Sequence, residues 1–299
     1  MSGSEHELLD VPVAGGALRV ARFGTGPVPV LGIHGVTASW VSLLPVARRL
    51  GPEFTLYAPD LRGRGASSGL PGPYGMAAHA ADCAAVLEHL ELPPLLVTGE
   101  SMGGFVAVAL AAHYPEKVVQ LLLVDGGLPM PLPPGIDPAV AAAAALGPAL
   151  ARLHTTYPSR EEYRAMWQAH PAFLDAWNED VAAYVDYDLV GTEPALRSRV
   201  SAAAVDADTH DLLGDPAGVA GRLAGLTCPV HLLRAPAGLL AQPEPTIPDA
   251  VVQEWLGRLP QLTEETVSGT NHYTLMFGAT GAAAVSARIR ERALPAAVG

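Results

Sequence analysis

Lysine is almost absent: Lys117 is the only one in 299 residues, and the 18 basic side chains face 30 acidic ones. The resulting formal charge of −12 argues against a nucleic-acid binder, because phosphate recognition needs a basic footprint. An anionic membrane face would repel such a surface for the same reason. Long apolar runs are missing as well. None approaches the roughly 20 residues of a membrane span, and the opening MSGSEHELLD lacks the basic-then-apolar pattern of a secretory leader. A soluble, cytoplasmic protein is expected. Cysteine is scarce: Cys83 and Cys228 stand far apart with no CxxC or Cys/His spacing, so neither a disulfide framework nor a zinc site is implied. Charged residues are only 16% against 49% apolar, which excludes a disordered chain.

What is present reads as one large domain, or a domain carrying an insertion, since single cores seldom grow past about 250–300 residues. ELLDVPVAGGALRVARFG reads as two strands turning at Gly15-Gly16. Short apolar runs then alternate with helix-like segments: Val28–Ile33, Thr55–Ala58, Leu95–Thr98, Val118–Val124 and Val230–Leu233. Runs this apolar on both faces suit a mostly parallel sheet covered by helices on both sides. Helices are expected over Ala77–Leu90, ending before Pro93-Pro94, and over Met102–His113, ending at Tyr114-Pro115, where proline disfavours a helical predecessor. From about Met130 to Leu226 the strand pattern lapses. That stretch holds Tyr157, Tyr163, Trp167, Phe173, Trp177, Tyr184 and Tyr187 and predicts an inserted helical subdomain. Its aromatics serve mainly to pack those helices, with Trp167 and Trp177 as candidates to face a substrate. The Pro/Ala stretch near Met130–Ala145 reads as a connector.

The sharpest local signal is Gly99-Glu100-Ser101-Met102-Gly103-Gly104, a G-x-S-x-G with an apolar run before it and an alanine-rich helix after it. That context specifies a nucleophile elbow, a sharp strand-to-helix turn that needs glycine on both sides and exposes Ser101 Oγ above the sheet. A serine hydroxyl is a weak nucleophile until a neighbouring imidazole takes its proton, so a histidine is required. The chain has ten. One of them, His272, follows the last strand-like run, Glu264–Val267, and precedes a helix expected over Ala282–Ala293.

With these motifs on the page, the sequence resembles the α/β-hydrolase superfamily. Leu31-Gly32-Ile33-His34-Gly35-Val36 is similar to the family's His-Gly turn after its third strand, and Asp60-Leu61-Arg62-Gly63-Arg64-Gly65-Ala66-Ser67 to its D-x-R-G-x-G-x-S loop. Asn271-His272 stands where the family places its histidine. The resemblance implies an α/β fold with core residues 1–128 and 226–299 and a helical cap at 129–225. It also implies an oxyanion hole from the backbone N–H groups of Val36 and Met102. His34 is expected to brace its turn, and the 60–67 loop to be structural.

The acid is less plainly marked. The family usually places it after the seventh strand, but here Arg234-Ala235-Pro236-Ala237-Gly238 puts glycine at that position. Asp125, ending the preceding strand, is the site used by a minority of the family, including some lipases and fungal lactonases, and it keeps the order Ser, Asp, His. Glu244 and Asp249 are the alternatives. The expectation is a serine hydrolase acting on an ester or lactone of a fairly apolar small molecule, with no metal or organic cofactor. An amidase or peptidase, a carbon–carbon bond hydrolase, or a cofactor-free haloperoxidase-like enzyme would use the same serine. A non-catalytic small-molecule receptor on this fold is the reading from a different class. No arginine cluster in the insert offers a carboxylate clamp, which favours a neutral substrate.

Overall fold

The computed structural model describes residues 6–130, 135–137, 140, 141, 147 and 149–293. Most of the expected Met130–Ala145 connector lies outside the described residues.

The chain opens with an antiparallel hairpin, β1 (Glu7–Val13) and β2 (Gly16–Phe23). Six further strands join them: β3 (Val28–Ile33), β4 (Phe54–Pro59), β5 (Leu95–Glu100), β6 (Val118–Val124), β9 (Val230–Arg234) and β10 (Leu262–Thr266). Their order across the sheet is β1-β2-β4-β3-β5-β6-β9-β10. The hairpin joins β4 antiparallel, and every pairing from β4 to β10 is parallel.

Parallel strands need both faces covered, and alternation along each strand supplies two cores. Leu121 and Leu123 point into a cluster with Met76, Cys83, Val106 and Trp255. Leu122 and Val124 point into the opposite one with Trp40, Phe277 and Ile289. The Met76–His89 helix faces the first cluster with Met76, Ala80, Cys83, Ala84 and Leu87, the three-to-four spacing of an amphipathic helix. The Met102–His113 helix is buried over nearly its whole length and ends where Pro115 follows. Its approach to the sheet is so close that a Cβ on Gly103 would lie 2.1 Å from the Ile33 carbonyl oxygen.

Between β6 and β9 the described residues form the helices Arg160–Gln168, Glu179–Asp188, Ala202–Gly214 and Pro216–Ala224. Ser159 and Asn178 cap the first two by accepting backbone N–H bonds from Glu162, and from Asp180 and Val181. A two-stranded ribbon, β7 (Leu189–Val190) with β8 (Arg197–Ser198), interrupts this otherwise helical stretch. The expectation of helices alone misses it, because two-residue strands leave too short a period to read. The aromatics Tyr163, Trp167, Phe173 and Tyr184 of this stretch belong to the same cluster as Trp40, Leu275 and Phe277, so it packs into the core on that side of the molecule. Cys83 and Cys228 are both free. Among the described residues no helix is long and apolar enough to cross a membrane.

Candidate active site

The tips of β5 and β6 lie side by side, with Glu100 paired to Val124, so the residues that follow them, Ser101 and Asp125, are neighbours. Ser101 has φ 54° and ψ −121°, a backbone conformation that residues with side chains rarely adopt. The surroundings enforce it. A Cβ on Gly99 would lie 2.1 Å from the Gly103 carbonyl oxygen, and one on Gly126 would lie 2.0 Å from that of Ser101. The Ser101 N–H donates to Val124 O at 2.9 Å. Asp125 also has a positive φ, 49°, which turns its side chain off the end of the sheet.

His272 arrives on the loop between β10 and the short helix Thr274–Phe277, held by its own N–H donating to Ala237 O at 3.1 Å. Its Nδ1 lies 2.6 Å from Asp125 Oδ2, in a contact with side-chain exposures of only 4% and 1%. Ala235 N–H donates to Asp125 Oδ1 at 3.3 Å, fixing the carboxylate's other oxygen. Thr246 Oγ1 stands 3.4 Å from the same Nδ1. Burial pulls the imidazole's pKa down, but the hydrogen bond and charge of Asp125, with the charge of Glu100, outweigh it and raise the pKa above the usual value. The alternative acids stand elsewhere: Glu244 is exposed on a loop, and Asp249 pairs with Arg234 at 2.6 Å.

A cavity of about 120 Å³ opens beside Ser101 and Asp125. Its walls are almost wholly apolar, built from Phe105, Met130, Leu212, Leu213, Leu239 and Ile247. Val36 and Met102 also line it. Met102 is the first residue of its helix, so its N–H has no acceptor within the helix and is free to point at a ligand. His34 sits behind this turn, completely buried. Its Nε2 accepts from Leu61 N–H at 3.0 Å, leaving Nδ1–H to donate to Gly35 O at 2.8 Å. Burial drives its pKa down to about 3, so it is a neutral brace. Trp167 is not at this cavity. It is 2% exposed and packed among His170, Phe173, Tyr184 and Tyr273. Trp177 lines a separate groove with Asn178, Asn271 and Gly278.

In the sequence Arg64 has no role beyond its place in the 60–67 loop, and Asp208 has none. Arg64, in the 60–67 loop, is fully buried; its Nε donates to Val36 O at 2.9 Å and its Nη2 reaches Met102 Sδ at 3.9 Å. It thus touches both expected oxyanion residues. Its charge is met by Asp208 from the insert, which also lies 2.9 Å from His79 Nε2 and accepts from Gly75 N–H at 2.6 Å. Asp208 sits in the Ala202–Gly214 helix, where nothing separates it from the solvated Asp206. Among the described residues, no group of three or more His, Cys, Asp or Glu side chains is arranged to hold a metal.

A family model described as alpha/beta hydrolase fold matches residues 28–199. Among curated proteins, the chain is 41% identical over 109 residues to lipase LipV of Mycobacterium tuberculosis, covering 36% of this chain and 41% of that protein. It is also 41% identical over 66 residues to 3-oxoadipate enol-lactonase 2 of Acinetobacter baylyi, covering 22% and 25%. These alignments span less than half the length of the curated relatives. Among solved structures, E-2-(acetamidomethylene)succinate hydrolase superposes with a TM-score of 0.79 at 21% identity over 96% of this chain and 99% of that one. The thioesterase domain of the curacin biosynthetic pathway gives 0.76 at 22% over 95% and 99%. At these identities the structural likeness speaks for the fold.

Proposed function

The chain belongs to the alpha/beta hydrolase fold family, and from that premise we propose that it hydrolyses a carboxylic ester or lactone of a small, uncharged molecule through an acyl-enzyme. The observation that carries this reading is the buried Nδ1–carboxylate contact of His272 and Asp125 beside a conformationally forced Ser101. Asp125 holds His272 with its proton on Nδ1, leaving Nε2 to take the Ser101 proton as Oγ attacks the carbonyl carbon. The N–H groups of Val36 and Met102 receive the oxyanion. His272 returns the proton to the leaving alkoxide, and water then repeats the sequence on the acyl-enzyme.

The apolar walls support an apolar acyl group, and the small volume a short one. Among the described residues lining the cavity none is basic and Asp208 is acidic, and the arginines at 152, 160 and 164 are engaged with Asp188 and Asp186, which leaves a substrate carboxylate without a counter-charge. Residues 129–225 act in this scheme as the cap, contributing Leu212 and Leu213 to the cavity. Hydrolysis of p-nitrophenyl butyrate, lost in Ser101→Ala, with organophosphate labelling at Ser101, tests the reading. Undiminished turnover in pure Ser101→Ala protein would remove it.

A further inference from the structure

The elbow motif leaves its second position free, yet the chain places a carboxylate there and buries it. Glu100 Oε2 accepts the Gly35 N–H at 2.8 Å, from the turn that presents Val36. Its Oε1 lies 3.7 Å from Nε2 of His272. That is too long for a hydrogen bond, so Nε2 stays available to Ser101 Oγ, but it is well within the reach of a charge. The imidazole thus has a carboxylate on each side, Asp125 at Nδ1 and Glu100 at Nε2. Tyr273 packs edge-on against the ring; burial pushes its hydroxyl up to about 12, which keeps it neutral. Thr246 carries no charge.

We propose that Glu100 is a positioning residue for His272, a second carboxylate whose charge, added to that of Asp125, sets how tightly the ring holds a proton. The proposal rests on the reading of His272 as the base. Burial, with a smaller push from the Asp125 charge, holds the Glu100 carboxyl above its usual range, while the His272 charge and the Gly35 N–H pull against that rise. While ionised, it stabilises the imidazolium that forms when Ser101 gives up its proton. The same charge keeps the ring protonated to higher pH in the resting protein, so the acid limb of activity is displaced upward. An opposite charge within about 4–6 Å shifts a pKa by about 1–3 units; the open geometry here points to the lower end.

Glu100→Gln separates charge from scaffolding, because the amide oxygen still accepts the Gly35 N–H. The His272 ring is titrated by NMR in wild type and Glu100→Gln, its signal assigned by its loss in His272→Gln. In parallel, inactivation by an organophosphonate is followed against pH. The expected result is a ring pKa lower by about one unit in Glu100→Gln, with the acid limb of inactivation moving down equally. Glu100→Met, which keeps the volume and drops the charge, should show the same shift if the glutamine variant fails to fold. A ring pKa unchanged in the folded variant overturns the proposal. Absence of Ser101 labelling in wild type would overturn the acyl-enzyme reading instead, and the ring titration would still decide the role of Glu100.

Discussion

Asp125→Asn changes one atom, and the surroundings dictate how the amide must sit. The Ala235 N–H donates to Oδ1 at 3.3 Å, so the asparagine oxygen stays there; a flipped amide would set two donors against each other. The NH2 group then faces Nδ1 of His272, where Oδ2 stood 2.6 Å away. Nδ1 is forced to accept, the ring proton moves to Nε2, and Nε2 can no longer take the serine proton. The imidazolium also loses its buried counter-charge. A triad acid converted to its amide costs about 10⁴ in kcat, which is about 5.4 kcal/mol of barrier at 1.36 kcal/mol per decade. A drop of about 10³–10⁴ in p-nitrophenyl butyrate turnover is expected. Thermal unfolding against pH gives a second readout. The folded pKa of His272 is raised, so the stabilisation from its pairing is fully present below the unfolded value of about 6.5. It is lost as pH rises through the folded value. The Tm deficit of Asp125→Asn should therefore be larger near pH 6 than near pH 9. Glu244→Gln and Asp249→Asn are the controls, since the Asp249 side chain is 76% exposed and such pairs contribute under about 1 kcal/mol. Turnover of Asp125→Asn within tenfold of wild type, with collapse in either control, would refute the reasoning.

Ser101→Gly should abolish turnover and raise stability to urea by about 1 kcal/mol, because the φ and ψ of Ser101 are strained for any residue with a side chain; a loss of stability would contradict the strain. Asp208→Asn should cost about 3–5 kcal/mol, since it leaves the buried Arg64 guanidinium without its counter-charge. A loss below about 1 kcal/mol in urea unfolding would be incompatible with that burial. Trp167→Ala should cost about 3–5 kcal/mol in stability, whereas Leu212→Ala should shift the ranking of p-nitrophenyl esters toward longer acyl chains. Chain-length profiles at matched folded fractions separate the two.

Wherever a short stretch contains its own physical reason, the sequence determined the outcome. The run Val118–Val124 is apolar enough for both faces of a sheet and is β6 residue for residue; the helix Met102–His113 stops at the proline that follows it. The elbow was legible because the glycines that permit it lie within a few residues of Ser101. Tertiary structure decided what depends on which distant segments meet. Asp125 reaches His272 across 147 residues, because the tip of β6 and the loop after β10 converge on one end of the sheet. Nothing local separates Asp125 from Glu244 or Asp249 as a carboxylate in the right part of the chain. The aromatics between residues 130 and 226 were readable as packing groups, but only tertiary contacts set Trp167 against Tyr184 and Tyr273 and left Leu212 and Leu213 at the cavity. Asp208 and Glu100 were illegible for the same reason. A carboxylate in a helix or at a strand end looks solvated until a chain segment from elsewhere, bearing Arg64 in one case and Gly35 and His272 in the other, closes over it and supplies the partners that burial demands.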